Sequence, residues 1–169
     1  YLLIQDNRGR IKPLNTLSSE FIRKISRKKR LYNQSPTQIL LGMMSNPVAW
    51  GRIPVIKISN PKLAQIMNVS ENILAFIDLF DKNGEYKLKE YVEDAYKKNP
   101  QDRNNFDQDV ISVDERLNLC YLIFNGDLLR FFPLKDDLNH TWYTTSKSDL
   151  FSGNDSLFVS NIMKMYFSA

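Results

Sequence analysis

The first 30 residues of the sequence carry a hydrophobic stripe at helical spacing. The stripe consists of Leu14, Leu17, Phe21, Ile22 and Ile25. Because apolar residues at such spacings fall on one face of an α-helix, the stripe predicts an amphipathic helix. Pro13 lacks an amide hydrogen, so the helix is predicted to begin after it, with Asn15 or Thr16 as N-cap. Gly9 is predicted to take a positive φ in a hairpin turn that folds the following arm back onto residues 1–4.

Asparagine, serine and proline mark the predicted starts of several short helices. Ser35 or Thr37 is expected to cap one helix, and the pairs Asn46-Pro47 and Asn60-Pro61 each predict an N-cap followed by proline at the first helical position. Ser70 is predicted to cap another helix, whose apolar residues are Ile73, Leu74, Ile77, Leu79 and Phe80. The β-branched segment 55–58 predicts a strand between these helices.

The most regular hydrophobic pattern lies in the second half of the chain. Its members are Phe106, Val110, Val113, Leu117, Cys120 and Phe124. Their alternating spacing of four and three predicts one long helix that Gly126 ends. Cys120 belongs to this apolar helix face and is interpreted as a small buried hydrophobic residue rather than a reactive thiol.

The segments on either side of this long helix are predicted from shorter patterns. A helix that contains Leu88 and Ala95 precedes it, and residues 128–133 after it predict a strand able to pair with the N-terminal hairpin. Residues 136–143 read as a polar loop whose Trp142 folds onto the core. A final helix is predicted to begin at Asn154 or Ser156.

The length favours one domain over residues 1–169. The predicted elements make it mainly α with a few short strands, an α+β fold with an N-terminal hairpin. A single cysteine and a single histidine, His140, exclude a disulfide framework, a cysteine-based zinc site and any two-histidine metal site within one chain. The longest apolar run, 119–124, is too short for a membrane span. Both ends read as cut from a longer chain, so we expect a domain excised from a larger membrane protein.

Positive charge is concentrated at the N-terminus. Residues 1–30 hold nine Lys or Arg residues against Asp6 and Glu20, a net charge of +7, whereas the whole chain carries +4. One interpretation is a solvated helix face whose cations meet acidic residues of the same domain. The other is a surface for membrane headgroups, acidic protein, carboxylate ligands or nucleic acid. The predicted partner-binding residues are Arg8, Arg10, Lys12, Arg23 and Arg27.

The sequence contains no complete motif for metal binding or catalysis. A calcium loop starting at Asp81 would have Tyr86 where glycine is needed and Val92 where the bidentate glutamate is needed. Met43 and Met44 could be haem ligands, but methionine at helical spacing indicates packing. A hydrolase would have to use Glu20, Asp114 or Glu115, and the last two are adjacent helical residues that diverge by about 100°. We therefore predict no catalytic residue and no metal site.

Several stretches of the sequence resemble one protein family. These stretches are 5–6, 9–16 with Glu20 and Arg23-Lys24, 84–88, 114–118, 131–134 and Trp142. Over residues 4–145 they resemble the soluble part of the fused ResB/CcsA-type cytochrome c biogenesis proteins of Bacteroidetes-type bacteria, the system II cytochrome c synthases. The most specific piece is the string GRIKPLNT at residues 9–16.

The resemblance implies that the parent protein exports haem across the inner membrane and helps attach it to the Cys-X-X-Cys-His thiols of an apocytochrome. The tryptophan-rich motif and the haem-coordinating histidines of that family have no match here, and His140 corresponds to none of them. The chain is therefore expected to be a non-catalytic domain on the periplasmic side of the inner membrane, with a scaffolding or partner-docking role. No cofactor is expected in this domain, and haem is a candidate cofactor for the parent.

The partners that this resemblance implies are apocytochrome c or other parts of the parent membrane protein, with an anionic membrane surface as a further candidate. The alternative function is a basic module that binds nucleic acid or anionic surfaces. Nucleic acid is not expected, because the cations lie at one end and the aromatic residues fall at core spacings rather than between the basic residues.

Overall fold

The computed structural model of the protein describes residues 2–6, 8–133 and 141–144, and within these ranges helices predominate over short antiparallel strands. The helices are α1 (Leu14–Ser26), α2 (Pro36–Ser45), α3 (Pro47–Trp50), α4 (Pro61–Ile66), α5 (Lys89–Lys97) and α6 (Asn105–Phe124). The strands are β1 (Leu3–Gln5), β2 (Ile11–Pro13), β3 (Ile56–Lys57), β4 (Ile73–Leu74), β5 (Arg130–Pro133) and β6 (Trp142–Thr144). This arrangement confirms the predicted mainly α, α+β class.

The described residues group into two units. The first contains the described residues up to Ile22, then Lys29–Pro47, and the described residues from Leu122 onward. The second contains Arg23–Lys28 and Val48–Tyr121. The boundaries fall inside α1 and α6, so each of these helices contributes residues to both units. That residues 1–169 form one domain stays a prediction.

The first unit contains an antiparallel sheet of strand order β2-β1-β5-β6. β1 and β2 form the predicted hairpin, with Ile4 opposite Lys12, and Gly9 has a φ of +78° in the turn between them. β5 pairs with β1 at Gln5, which confirms the predicted pairing of residues 128–133 with the hairpin. Trp142 and Tyr143, predicted as the end of a polar loop, belong to strand β6, because β5 provides the edge on which they pair. Residues 136–140 of the predicted loop lie outside the described residues.

Helix α1 begins at Leu14, directly after β2. The predicted N-caps are therefore wrong, because Asn15 and Thr16 lie inside the first turn. The physical reason is that the hairpin ladder reaches the helix start: the Leu14 amide donates to the Leu2 carbonyl at 2.9 Å, so strand passes into helix without a loop residue. The predicted apolar face is confirmed, since Leu14, Leu17, Ile22 and Ile25 are buried and Phe21 is half-buried.

Local capping signals place the short helices correctly. Ser35 caps α2 in a capping box with Gln38, and the Asn60 side chain accepts the Lys62 amide at the start of α4. Residues 39, 40 and 43 of α2 are buried, as expected for packing residues. Gly84 has a φ of +81° within a turn in which the amides of Asn83 and Glu85 donate to the Asp81 carboxylate.

The helix predicted after Ser70 is wrong. Residues 73–74 form strand β4, which pairs with β3, and residues 77–79 form only a single 3₁₀ turn. Asn72 has a φ of +53°, a left-handed conformation that interrupts a helix. Its carbonyl instead accepts the Ile58 amide at 2.9 Å, so the cross-strand partner outweighs the helical spacing of the apolar side chains.

Helix α6 forms as predicted, with its apolar seam inward. Val110, Val113, Leu117 and Cys120 are buried, whereas the end residues Phe106 and Phe124 are half-buried. Gly126 follows the helix with a φ of +71°, and its amide donates to the Ile123 carbonyl at 3.1 Å. No helix within the described ranges is both long and apolar enough to span a bilayer.

Cys120 is predicted to resist thiol reagents in the folded protein. Burial raises the pKa of its thiol to about 12, so at pH 8 about one thiol in 10⁴ is ionised, against about a quarter for an exposed cysteine. Timed alkylation at pH 8 should therefore be slow in buffer and fast in denaturant. Equal rates in the two conditions would contradict the burial of Cys120.

Asp109 of α6 is predicted to be important for stability in the second unit. Its Oδ2 accepts the amides of Ser59 and Asn60 at 2.8 and 2.7 Å, and the side chain is only 6% exposed. Asp109→Ala should lower the free energy of unfolding by about 2–4 kcal/mol. Two amides lose their acceptor, and the buried Arg116 loses its nearest carboxylate.

The matched variant is Asp109→Asn, which keeps an oxygen acceptor and should lose less stability in the same denaturant titration. Asp109→Ala within about 0.5 kcal/mol of the unmodified chain would show that these hydrogen bonds contribute little.

Candidate functional site

The cationic arm, defined here as Arg8, Arg10 and Lys12, is organised by the carboxylate of Asp6. Asp6 Oδ1 accepts the backbone amides of Arg8 and Arg10 at 2.9 and 3.0 Å. Asp6 Oδ2 accepts the Nε of Arg10 at 3.0 Å and lies 2.9 Å from its Nη2. One carboxylate thus fixes the turn backbone and one arginine side chain of the arm.

The ionised form of Asp6 is strongly favoured. Its side chain is only 9% exposed, and burial alone would raise its pKa. The backbone hydrogen bonds from Arg10 and Arg8, together with the Arg10 guanidinium, outweigh burial and hold the pKa of Asp6 well below its usual range. The arm therefore stays in its paired geometry throughout the neutral pH range.

Lys12 connects this cluster to helix α1. Its Nζ donates to both carboxylate oxygens of Glu20, at 3.0 and 2.9 Å, and lies 3.4 Å from Asp6 Oδ2. Arm and helix together line a surface cavity of about 420 Å³, whose lining residues are Asp6, Arg8, Arg10, Lys12, Leu17, Glu20 and Phe21. With three cations and two carboxylates, this lining carries a net charge of +1.

Arg8 differs from the other two cations of the arm. Only its backbone amide contacts Asp6, and its exposed side chain has no ion-pair or hydrogen-bond partner in the described part of the chain. Arg10 and Lys12 mainly neutralise the carboxylates of their own unit. Arg8 is therefore the arm residue best placed to meet an external anion.

The other two predicted partner-binding residues lie in the second unit. Arg23 is an exposed residue of α1, and Arg27 follows the helix with a φ of +61° and donates its amide to the Arg23 carbonyl at 2.9 Å. Neither side chain has a partner among the residues that the structure describes. That all five cations form one binding surface stays a prediction.

Arg116 is the residue of chemical interest that the sequence pattern did not single out. It is buried on α6, and its Nε donates to the Lys24 carbonyl at 3.2 Å while Nη1 donates to the Lys57 carbonyl. The available signal was its spacing of seven residues from Asp109, which puts both charges on one helix face beside Val113.

The carboxylates considered for hydrolysis each have another role. Glu20 binds Lys12, Glu115 pairs with Lys24 at 3.1 Å, and Asp114 accepts the Asn118 amide group at 3.2 Å. The pair of Glu115 and Lys24 joins α6 to α1 within the second unit. Burial, followed by the charge of Glu115, raises the pKa of Asp114, although hydrogen bonds oppose the shift.

Metal-ligating side chains do not cluster in the ranges covered by the structure: no group of three or more His, Cys, Asp or Glu residues is close enough to hold an ion. His140 and the predicted final helix from Asn154 or Ser156 lie outside the described residues.

Comparison with known proteins relates the chain to a segment of a much longer protein. It is 38% identical over 148 residues to Protein NrfI of Wolinella succinogenes, and the match covers 87% of this chain and 16% of NrfI. The chain thus spans about a sixth of the length of that relative. No protein-family model matches the chain.

Proposed function

We propose that this chain is a non-catalytic periplasmic domain of a cytochrome c biogenesis membrane protein and that it docks a partner through its cationic arm. The observation that carries the biogenesis part is the 38% identity to NrfI over 87% of the chain, because this relative suggests a role in cytochrome c biogenesis. The fused ResB/CcsA-type architecture, the haem-ligating activity of the parent and the location on the outer side of the inner membrane belong to the same proposal and derive from the sequence resemblance.

The docking role is supported by the way the arm is built. Asp6 and Glu20 hold Arg10 and Lys12 in fixed positions, so little side-chain entropy remains to be lost at these residues when a partner binds. Arg8 adds an unpaired positive charge at the exposed turn. A surface with fixed cations and one free guanidinium suits an acidic segment of another polypeptide, since charge complementarity increases association rate and specificity.

The favoured partners are apocytochrome c and other segments of the parent protein, and an anionic membrane surface is the alternative docking target. A scaffolding role needs no bond-making residue, and the carboxylates proposed for hydrolysis are engaged in the contacts described above. Haem enters the proposal as a cofactor of the parent protein and not of this domain.

Arg8→Glu is predicted to impair cytochrome c maturation when introduced into the full-length protein in its native host. The change reverses the unpaired charge and leaves the Asp6 contacts intact, because Arg8 reaches Asp6 only through its backbone. Haem staining should show c-type cytochromes reduced by about tenfold, the effect expected for loss of about 1.4 kcal/mol of binding, at unchanged abundance of the variant protein.

Arg52→Glu is the matched control, because Arg52 is exposed and has no described side-chain partner. It should leave the cytochrome level unchanged. A normal level in Arg8→Glu, or an equal loss in both variants, would refute docking through the arm.

The alternative partners are separated by binding assays with the wild-type chain. Salt-sensitive binding to apocytochrome c supports the proposal. Binding only to anionic vesicles would transfer the docking role to the membrane, and tight binding to random duplex DNA with a steep salt dependence would favour the nucleic-acid alternative.

A further inference from the structure

The second unit contains a polar cavity that the cationic arm does not contribute to. It has a volume of about 400 Å³ and lies where α6 faces the β3–α4 connection. Its charged lining residues are Arg27, Asp109 and Arg116, and its neutral polar lining includes Asn60, Asn105 and Ser112. The cavity therefore combines two guanidinium groups, one carboxylate and several neutral groups able to donate hydrogen bonds.

Arg116 is held rigidly in this lining with part of its donor capacity unused. Its side chain is only 2% exposed, and two backbone carbonyls accept from Nε and Nη1. Its Nη2 has no partner within the described residues and is not among their fully enclosed unsatisfied atoms. A preorganised donor group is thus available from the cavity.

The nearest carboxylate neutralises Arg116 only in part. Asp109 Oδ1 lies 4.0 Å from Arg116 Nη1, beyond hydrogen-bonding distance, and Oδ2 is occupied by the amides of Ser59 and Asn60. Arg27 is exposed on the same cavity and acts electrostatically on Arg116. The charged lining therefore sums to +1, carried by a buried arginine and an exposed one.

Burial is the main influence on Arg116, and the positive charge of Arg27 adds to it, so the pKa of the guanidinium is lowered from its ordinary value. An arginine keeps its proton at neutral pH despite such a shift. A bound anion would reduce both the cost of burying the Arg116 charge and the repulsion from Arg27, because it would pair with the guanidinium and screen one positive charge from the other.

We propose that this cavity binds one carboxylate group, which accepts hydrogen bonds from Arg116 Nη2 and is attracted by Arg27. A monoanion matches the net charge of +1. A dianionic phosphate fits less well, because its second charge faces the Asp109 carboxylate. The carboxylate can belong to a free small acid or to an acidic side chain of a polypeptide, since both present the same planar acceptor to the guanidinium.

The test is an NMR titration of the intact chain that follows the side-chain Nε–Hε signal of Arg116 while sodium acetate is added at constant ionic strength. Saturable movement of that signal is expected. The signal should move less with sodium chloride and, at equal concentration, less with inorganic phosphate. Absence of saturation with acetate, an equal response to chloride, or tighter binding of phosphate would overturn the proposal.

Arg27→Gln is the diagnostic variant, because no described contact uses its side chain and folding should be unaffected. It should weaken acetate binding by about three- to tenfold, as expected for loss of a partly exposed charge. Arg52→Gln, which removes an exposed arginine outside the cavity, should leave the affinity unchanged. Unaltered binding in Arg27→Gln, or equal weakening in both variants, would overturn the proposal.

The source of the carboxylate is distinguished by a short blocked peptide with one central glutamate and its glutamine counterpart. Tighter binding of the glutamate peptide than of acetate supports a polypeptide ligand, whereas equal affinities support a small acid. Equal binding of the glutamate and glutamine peptides would show that the carboxylate is not recognised.

Discussion

The hydrogen bonds that a buried carboxylate accepts from backbone amides are the interaction on which both units of this protein depend. Asp6 holds the hairpin turn in the first unit, and Asp109 holds the β3–α4 connection in the second. In each case an arginine lies beside the same carboxylate, at 2.9 Å for Arg10 and 4.0 Å for Arg116. The same two carboxylates therefore fix the loop backbone and determine where Arg10 and Arg116 lie.

The cations around Asp6 and Asp109 differ in how fully carboxylates neutralise them. The neutralised cations have a structural role, and the others are proposed to bind partners. Arg10 and Lys12 are paired within their own unit, so they set the shape of the arm. Arg8 and Arg27 have no described side-chain partner, and Arg116 keeps one free nitrogen. Both proposals rest on these unpaired groups: the arm is proposed to dock an acidic partner, and the cavity is proposed to bind a single carboxylate.

The sequence was sufficient where the determining interaction is local. The Gly9 hairpin, the Ser35 and Asn60 caps and the long α6 seam were all predicted, because each depends on neighbours within a few residues. The helix after Ser70 was wrong because pairing with β3, a partner distant in sequence, decides that segment. Of the candidate site, the basic residues of the arm were predicted, but their pairing with Asp6 and Glu20 and the burial of Arg116 were not. Those features depend on tertiary contacts, which residue spacing suggests without establishing.

The most direct test of the account is an NMR pH titration of the Asp6 side-chain carboxyl carbon in the folded chain. The account predicts that Asp6 remains ionised after ordinary exposed carboxyl groups have been protonated, because the amides of Arg8 and Arg10 and the Arg10 guanidinium favour the charged form. Its contribution to stability should accordingly be fully present above the ordinary aspartate pKa and be lost progressively as the pH falls from there through the lowered value. Titration of Asp6 together with the exposed carboxyl groups would contradict a fixed cationic arm.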